Sequence, residues 1–196
     1  MVNSRRDAHR RLTVEARRDQ LLSVGVELIA TRSWDGLTML DIAAAACVSK
    51  PLLYHYFSTK QDLYRAAVRS AAEELRLATR PDEAMRPQDE LRWSLEAHVD
   101  WVEAHDAAYR TVLQGGVSGD AEVQAIIERS RTEVVDRIVR SVGLELAPPS
   151  LRISLRGWVG FLEGACLEWL GTKDISKVEL VRLLTASLPA AISAAR

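Results

Sequence analysis

The sequence predicts an all-α protein of about nine helices, and three observations carry that prediction. Apolar residues recur at helical spacing over long segments, β-rich alternating runs are absent, and short stretches holding Pro or Gly separate the periodic segments. A chain of 196 residues with a 47% hydrophobic fraction can bury one core or two smaller ones. Net charge is −1, but it is unevenly spread: residues 1–70 carry +4 and residues 71–196 carry −5. Two readings fit this asymmetry: a basic head suited to phosphate contacts, or ordinary variation in surface charge.

Taken in order, residues 1–12 read as a loose basic arm. A first helix is expected from Thr13 to Thr31, with Leu21, Leu22, Gly25, Leu28 and Ile29 on one face, and Asp35-Gly36 ends the connection after it. Thr38 and Asp41 form a capping box that opens a short helix to Ala46: the hydroxyl accepts from a first-turn N–H and the carboxylate reaches back. Ser49 caps a second short helix, Lys50 to Tyr56, with Pro51 in the first turn where its missing N–H costs little. Ser58 and Gln61 offer a further capping box at the start of a long helix ending near Thr79. Pro81–Pro87 is a linker. Helices are expected at about 88–105, 106–114, 120–142, 149–170 and 176–195, with breaks at Gly115-Gly116, at Gly143 with Pro148-Pro149, and at Gly171.

Two short capped helices separated by about three residues have the geometry of a helix-turn-helix. Ile42, Ala46, Val48, Leu53 and Tyr56 fall where the two must pack on each other and on the first helix, and Ala43 supplies the small residue at their crossing. The run Thr38–Val68, TMLDIAAAACVSKPLLYHYFSTKQDLYRAAV, resembles the DNA-binding domain of the TetR family, most specifically over Val48–Phe57 with Lys60 and Leu63. The close resemblance covers about residues 14–70. It implies an N-terminal three-helix DNA-binding domain, residues 1–57, and a C-terminal helical effector-binding and dimerisation domain, residues 58–196, connected by the helix 58–79. It also implies Gly in the turn where this chain has Cys47. A non-Gly residue in the left-handed conformation expected there costs about 1–2 kcal/mol. Cys47 reads either as packing or as a redox-sensitive group beside the DNA.

By the same resemblance, Lys50, Pro51 and Leu52 face base edges in the major groove, with Ser49 capping their helix. Lys50 can donate to guanine O6 and N7, and Pro51 and Leu52 can touch thymine methyls. Tyr54, His55 and Lys60 resemble the family's phosphate contacts, and Thr38 offers a phosphate its hydroxyl and its helix N-terminus. Tyr54 can instead be a core aromatic; Tyr56 and Phe57 are assigned to packing. Arg5, Arg6, Arg10 and Arg11 form either a minor-groove arm or a solvated tail.

A single helix-turn-helix reads few base pairs, so a homodimer on a double-stranded, pseudo-palindromic operator is expected. Gly157, Gly160 and Gly164 make a small-residue stripe that suggests close backbone approach. With Phe161, Trp169, Leu184 and Leu188 it is the expected dimer face; packing within one protomer is the other reading. Stripes on the remaining helices are either plain core or, as the family implies, the wall of a mostly apolar cavity. Leu95, His98, Val102, Tyr109, Leu113, Ile127, Trp158 and Leu162 are the candidate ligand-binding residues. Trp93 and Trp101 are large enough to join them, and His98 and Glu163 are candidate polar anchors. No basic or acidic cluster is seen to point inward, so a small apolar or amphipathic effector is expected. Repression relieved by that effector is the family's usual sign, with activation as the alternative.

An all-α enzyme is the rival class. His9, His55, His98 and His105 lie in unrelated contexts, and no HExxH, P-loop or GxSxG pattern occurs. His98 and His105 are seven apart with no evident third ligand, so neither metal, cofactor nor catalytic residue is expected. Cys47 and Cys166 form no disulfide framework. With no signal-peptide-like run and nothing near the roughly 18 apolar residues of a membrane span, a cytoplasmic location is expected.

Overall fold

The computed structural model describes residues 13–31, 36–82, 84–114 and 120–195. Among them lie nine helices: α1 (Val14–Thr31), α2 (Met39–Ala45), α3 (Lys50–Tyr56), α4 (Lys60–Ala78), α5 (Pro87–Ala104), α6 (Asp106–Leu113), α7 (Ala121–Ser141), α8 (Pro149–Thr172) and α9 (Lys177–Ser193). The basic arm, Asp35 and the Gly115-Gly116 break lie outside the described residues. The chain divides into two compact units, residues 1–67 and 68–196, so the division falls inside α4. Sequence reading puts it at the start of that helix. The difference has a packing cause: Leu63, Tyr64, Ala66 and Ala67, in the first half of α4, are all buried.

In the first unit, the start of α2 is fixed by both halves of the expected capping box. Thr38 Oγ1 accepts from the Asp41 N–H at 3.2 Å, and Asp41 Oδ2 accepts from the Thr38 N–H at 2.9 Å. Ser49 Oγ accepts from the Leu52 N–H at 3.3 Å and starts α3. Between the helices the Val48 N–H bonds to the Ala43 carbonyl at 2.9 Å and the Cys47 N–H to that of Ala44 at 3.1 Å. This is a Schellman turn, and Cys47 takes its left-handed position with φ +52°. Ile42, Ala43, Ala46 and Leu53 are buried at the crossing, while Val48 and Tyr56 are half-buried. On α1, Leu21, Leu22 and Gly25 are buried. A Cβ on Gly25 would lie 2.5 Å from Leu63 Cδ2, so the Leu63 side chain of α4 fills the space that a side chain on α1 would need there.

The capping box of α4 is displaced one residue from the expected Ser58–Gln61 pair. Thr59 and Asp62 form it: each backbone N–H reaches the other's side-chain oxygen at 3.0 Å. The carboxylate is the stronger acceptor for a backbone N–H.

In the second unit α8 packs against α5, α7 and α9, and α5 also packs on α6 and α9. The buried face of α8 presents Leu151, Leu155, Trp158, Val159, Leu162, Cys166, Trp169 and Leu170. Asp120 caps α7, accepting from the Glu122 and Val123 N–H groups. Gly143 (φ +80°) closes α7 in a Schellman turn of the same pattern as that at Cys47. The break expected at Gly171 falls instead at Lys173, whose φ of +51° ends α8 at Thr172. Lys173 is held there: its ammonium lies 3.2 Å from the Trp169 ring centroid and 2.8 Å from Glu103 Oε1. Among the described residues no helix is long and apolar enough to cross a membrane.

Two substitutions test the backbone reading. Cys47→Gly relieves the left-handed strain but adds unfolded-state entropy, for a net gain of up to about 1 kcal/mol. The melting temperature should rise by about 2 °C; an unchanged or lower value would count against strain at this turn. Gly25→Ala forces a methyl onto fully buried Leu63. Overpacking should outweigh the gain in helix propensity and destabilise by about 1 kcal/mol in thermal melts.

Candidate nucleic-acid interface and effector cavity

The caps of α2 and α3 put the predicted DNA-contacting side chains outside the core of the first unit. Thr38, Ser49, Lys50, Pro51, Tyr54 and His55 are exposed; Leu52 and Lys60 are half-buried. Tyr54 is 41% exposed, with the Lys50 ammonium 5.6 Å from its ring centroid, so it is a surface aromatic and not part of the core. Phe57 is buried and Tyr56 half-buried, the latter edge-on to His55 at 5.2 Å, as packing roles require. Lys60 Nζ donates to the Leu37 carbonyl at 2.9 Å. That bond holds a positive charge beside the N-terminus of α2, next to Thr38. No acidic residue lies in α3. The first unit thus gathers two helix N-termini, an ammonium group and exposed donors of the kind that bind phosphate oxygens. Arg5, Arg6, Arg10 and Arg11 lie outside the described residues.

The second unit contains two apolar cavities. The larger, about 470 Å³, lies among α5, α7, α8 and α9 and takes in Leu95, His98, Trp158 and Leu162 of the predicted ligand residues. The smaller, about 130 Å³, takes in His98, Tyr109, Leu113, Ile127 and Leu162, with Val68, Ala71, Ala72 and Leu75 of α4 on another wall. The larger falls within the usual range for small-molecule sites. His98, Val134 and Leu162 line both and form the partition between them. Val102 lines neither, because it is fully buried in the core. Of the tryptophans, Trp101 lines the smaller cavity and donates Nε1–H to Glu74 at 3.1 Å; Trp93 lines neither.

Apolar side chains dominate these walls, and the charged groups on them are Glu90 and Arg137 at the larger cavity and Arg131 and Glu163 at the smaller. Glu163, a candidate anchor, is already taken: Arg131 Nε and Nη2 donate to its two oxygens at 2.8 and 2.7 Å. By contrast, His98 Nε2 and the Tyr109 hydroxyl are buried without a hydrogen-bond partner. Their rings meet edge-on at 6.3 Å. Leaving such a group unpaired costs about 1–3 kcal/mol, which a ligand bearing the complementary group would recover. Burial lowers the His98 pKa to about 4, aided by the positive charge of Arg137. Burial raises that of Tyr109, with Cys166 and Glu163 adding to the effect. Both side chains therefore offer neutral polar atoms at neutral pH. Burial also pushes the Cys166 thiol up to about 12, which makes it unreactive. His105 is tied to the Trp101 carbonyl through Nδ1 at 2.8 Å. Among the described residues no group of three or more His, Cys, Asp or Glu is placed to hold a metal.

The outer side of α8 carries the glycine stripe. Gly157, Gly160 and Gly164 are exposed, and a Cβ on any of them would meet nothing within 4 Å. The stripe therefore does not pack within the protomer. Phe161, 42% exposed, stands beside it. Three residues expected on this face lie elsewhere: Trp169, Leu184 and Leu188 are buried in the protomer's own core. Trp169 donates to the Ile175 carbonyl at 2.9 Å, and Leu188 lines the larger cavity. The exposed apolar side chains that sequence reading missed on α8 and α9 are Ile153, Val178 and Leu183.

A helix-turn-helix unit in one chain with a second helical unit that holds apolar cavities is the layout of a class of two-domain DNA-binding regulators. Comparison with known proteins places the chain within it. Residues 21–67 match the bacterial regulatory proteins of the tetR family, and residues 87–190 match the tetracyclin repressor-like C-terminal domain. The chain belongs to the TetR family of transcription regulators, not to an enzyme family. It is 33% identical over 143 residues to the HTH-type transcriptional activator FasR of Mycolicibacterium smegmatis, a match covering 69% of this chain and 64% of that protein. It is 25% identical to the HTH-type transcriptional regulator BetI of Stenotrophomonas maltophilia, covering 77% of this chain and 80% of that one. A solved tetR-family transcriptional regulator from Streptomyces coelicolor superposes with a TM-score of 0.84 at 28% identity, covering 94% of this chain and 83% of that one.

The buried His98 sets a pH dependence. Its folded pKa of about 4 lies below the ordinary 6.5, so between those values the unfolded chain binds more protons. Its contribution to stability is therefore complete above about pH 6.5 and is lost as pH falls toward 4, by up to about 3 kcal/mol. His98→Gln should flatten the fall of melting temperature across that window. Parallel profiles for variant and wild type would contradict a buried neutral imidazole.

Proposed function

We propose that this protein is a homodimeric repressor that grips a pseudo-palindromic DNA operator through α3 and releases it when a small apolar or amphipathic molecule enters the second unit. The observation that carries this reading is the exposed first turn of α3, where Ser49, Lys50 and Pro51 face outward above a buried Leu53. Lys50, Pro51 and Leu52 read base edges; Thr38, Tyr54, His55 and Lys60 hold phosphates on either side. Two such helices about 34 Å apart give the affinity and specificity that one lacks. The outward side of α8, with Gly157, Gly160, Phe161 and Gly164, is the proposed contact between protomers.

The effector acts through α4. Four residues of that helix line the smaller cavity, and the same helix begins at Lys60 in the DNA-binding unit. A ligand that favours one position of α4 shifts DNA affinity only as far as it binds the two states differently. Activation is the second reading, favoured by the identity to a relative named as an activator.

Lys60→Ala should weaken binding to all sequences and reduce the salt slope, whereas Lys50→Ala should relax preference at one base pair. Titrations against an operator selected from random DNA decide it; wild-type binding by both variants would refute this docking. For the dimer, Gly160→Leu meets open space in the protomer, so its fold should survive. Sedimentation should nevertheless shift toward monomer, and an unchanged dimer would place the interface elsewhere.

A further inference from the structure

A recess of about 690 Å³ adjoins the larger cavity and shares Pro81, Glu90, Arg137 and Ser141 with it. Four guanidinium groups line it, those of Arg76, Arg80, Arg137 and Arg140, against two carboxylates, Glu90 and Glu133. Arg76 is paired with Glu73 through two bonds of 2.6 and 2.7 Å. Arg137 has no such carboxylate: its Nη1 donates to the Thr79 carbonyl at 2.7 Å and to the Thr79 hydroxyl at 3.3 Å. It is half-buried, and burial together with the charges of Arg140 and Arg76 works against its own charge, Glu133 alone favouring it. A partly desolvated guanidinium beside like charges is a site that an anion stabilises. Two features therefore meet at one mouth: an apolar chamber with the unpartnered His98 Nε2 in its wall, and at its rim the half-buried Arg137 guanidinium, held by a carbonyl and a hydroxyl and flanked by Arg140.

We propose that the effector is an amphipathic anion, its apolar body in the larger cavity and its carboxylate or phosphate head on Arg137 and Arg140, with Arg80 and Arg76 beside them. This rests on the reading of the second unit as the effector-binding unit; it places the effector in the larger cavity, where the recess at its mouth includes Arg76 of α4, and it adds the head group and the residues that select it. Chain length is set by the chamber; the requirement for a charge is set by the rim.

Three probes with the same alkyl chain separate an anionic effector from a merely apolar one: dodecanoate, dodecyl phosphate and dodecanol, each titrated below its aggregation limit against the full-length protein. Tryptophan fluorescence reports binding, since Trp158 lines the chamber. At least one anion should bind about tenfold or more tighter than the alcohol, and added salt should weaken the anion alone. Whichever of the two anions binds more tightly identifies the head. Arg140→Gln removes an exposed charge with little risk to folding; it should narrow the preference to about threefold or less while dodecanol binding stays unchanged. Arg137→Gln should do the same, with its melting curve confirming the fold. Equal affinity for anion and alcohol, or a preference untouched by both variants, would overturn the head-group site and leave an apolar effector cavity standing. Failure of all three probes to bind would count against the cavity reading itself.

Discussion

Along the 24 residues of α8, large apolar side chains on one side pack against α5, α7 and α9, while glycines occupy the other side. That division of faces governs the second unit. The buried side supplies Trp158 and Leu162 to the chamber walls and Trp169 to the core. The open side is left without side chains where another backbone can approach. Hydrophobic burial of one stripe thus fixes both what the unit encloses and which surface it presents.

In the first unit burial holds the helices together, with Leu21, Ile42, Leu53 and Leu63 fully buried, and backbone chemistry sets where each helix begins and ends. α2 and α3 are seven residues each, too short to be stable alone. Their ends are held by Thr38, Asp41 and Ser49, and their crossing by small residues and a left-handed turn. The side chains proposed to meet DNA therefore owe their placement to caps and turns a few residues away. Lys60, from the next helix, ties its ammonium to the Leu37 carbonyl and so links the start of α4 to the start of α2.

Most of the helical order was legible in the sequence because caps, prolines and glycines mark boundaries locally. The misses have physical causes. Ser58–Gln61 and Thr59–Asp62 both offer a hydroxyl three residues before a polar group, and only the acceptor strength of the carboxylate separates them. Trp169, Leu184 and Leu188 were expected outside because α8 and α9 carry apolar residues on more than one side, so periodicity cannot tell inward from outward. Val102 looked like a cavity residue for the same reason. The arginine recess was illegible: Arg76 and Arg80 stand about sixty residues from Arg137 and Arg140, and only the fold brings them together. That His98 and Tyr109 meet without partners is likewise a three-dimensional fact, although each was singled out by its place on an apolar stripe.

The turn at Cys47 has a match in the same chain. At Gly143 the identical hydrogen-bond pattern closes α7 with a residue that adopts positive φ freely, whereas at Cys47 a side chain is carried through it. Natural domains are stable by only about 5–15 kcal/mol, and small ones sit near the lower end. A strain of about 1–2 kcal/mol is then a substantial share of the margin of a 67-residue unit. The second unit also carries a side chain through this conformation, at Lys173 (φ +51°), but there the Trp169 ring and the Glu103 carboxylate hold the ammonium, so the contacts that offset the strain are built into the turn itself.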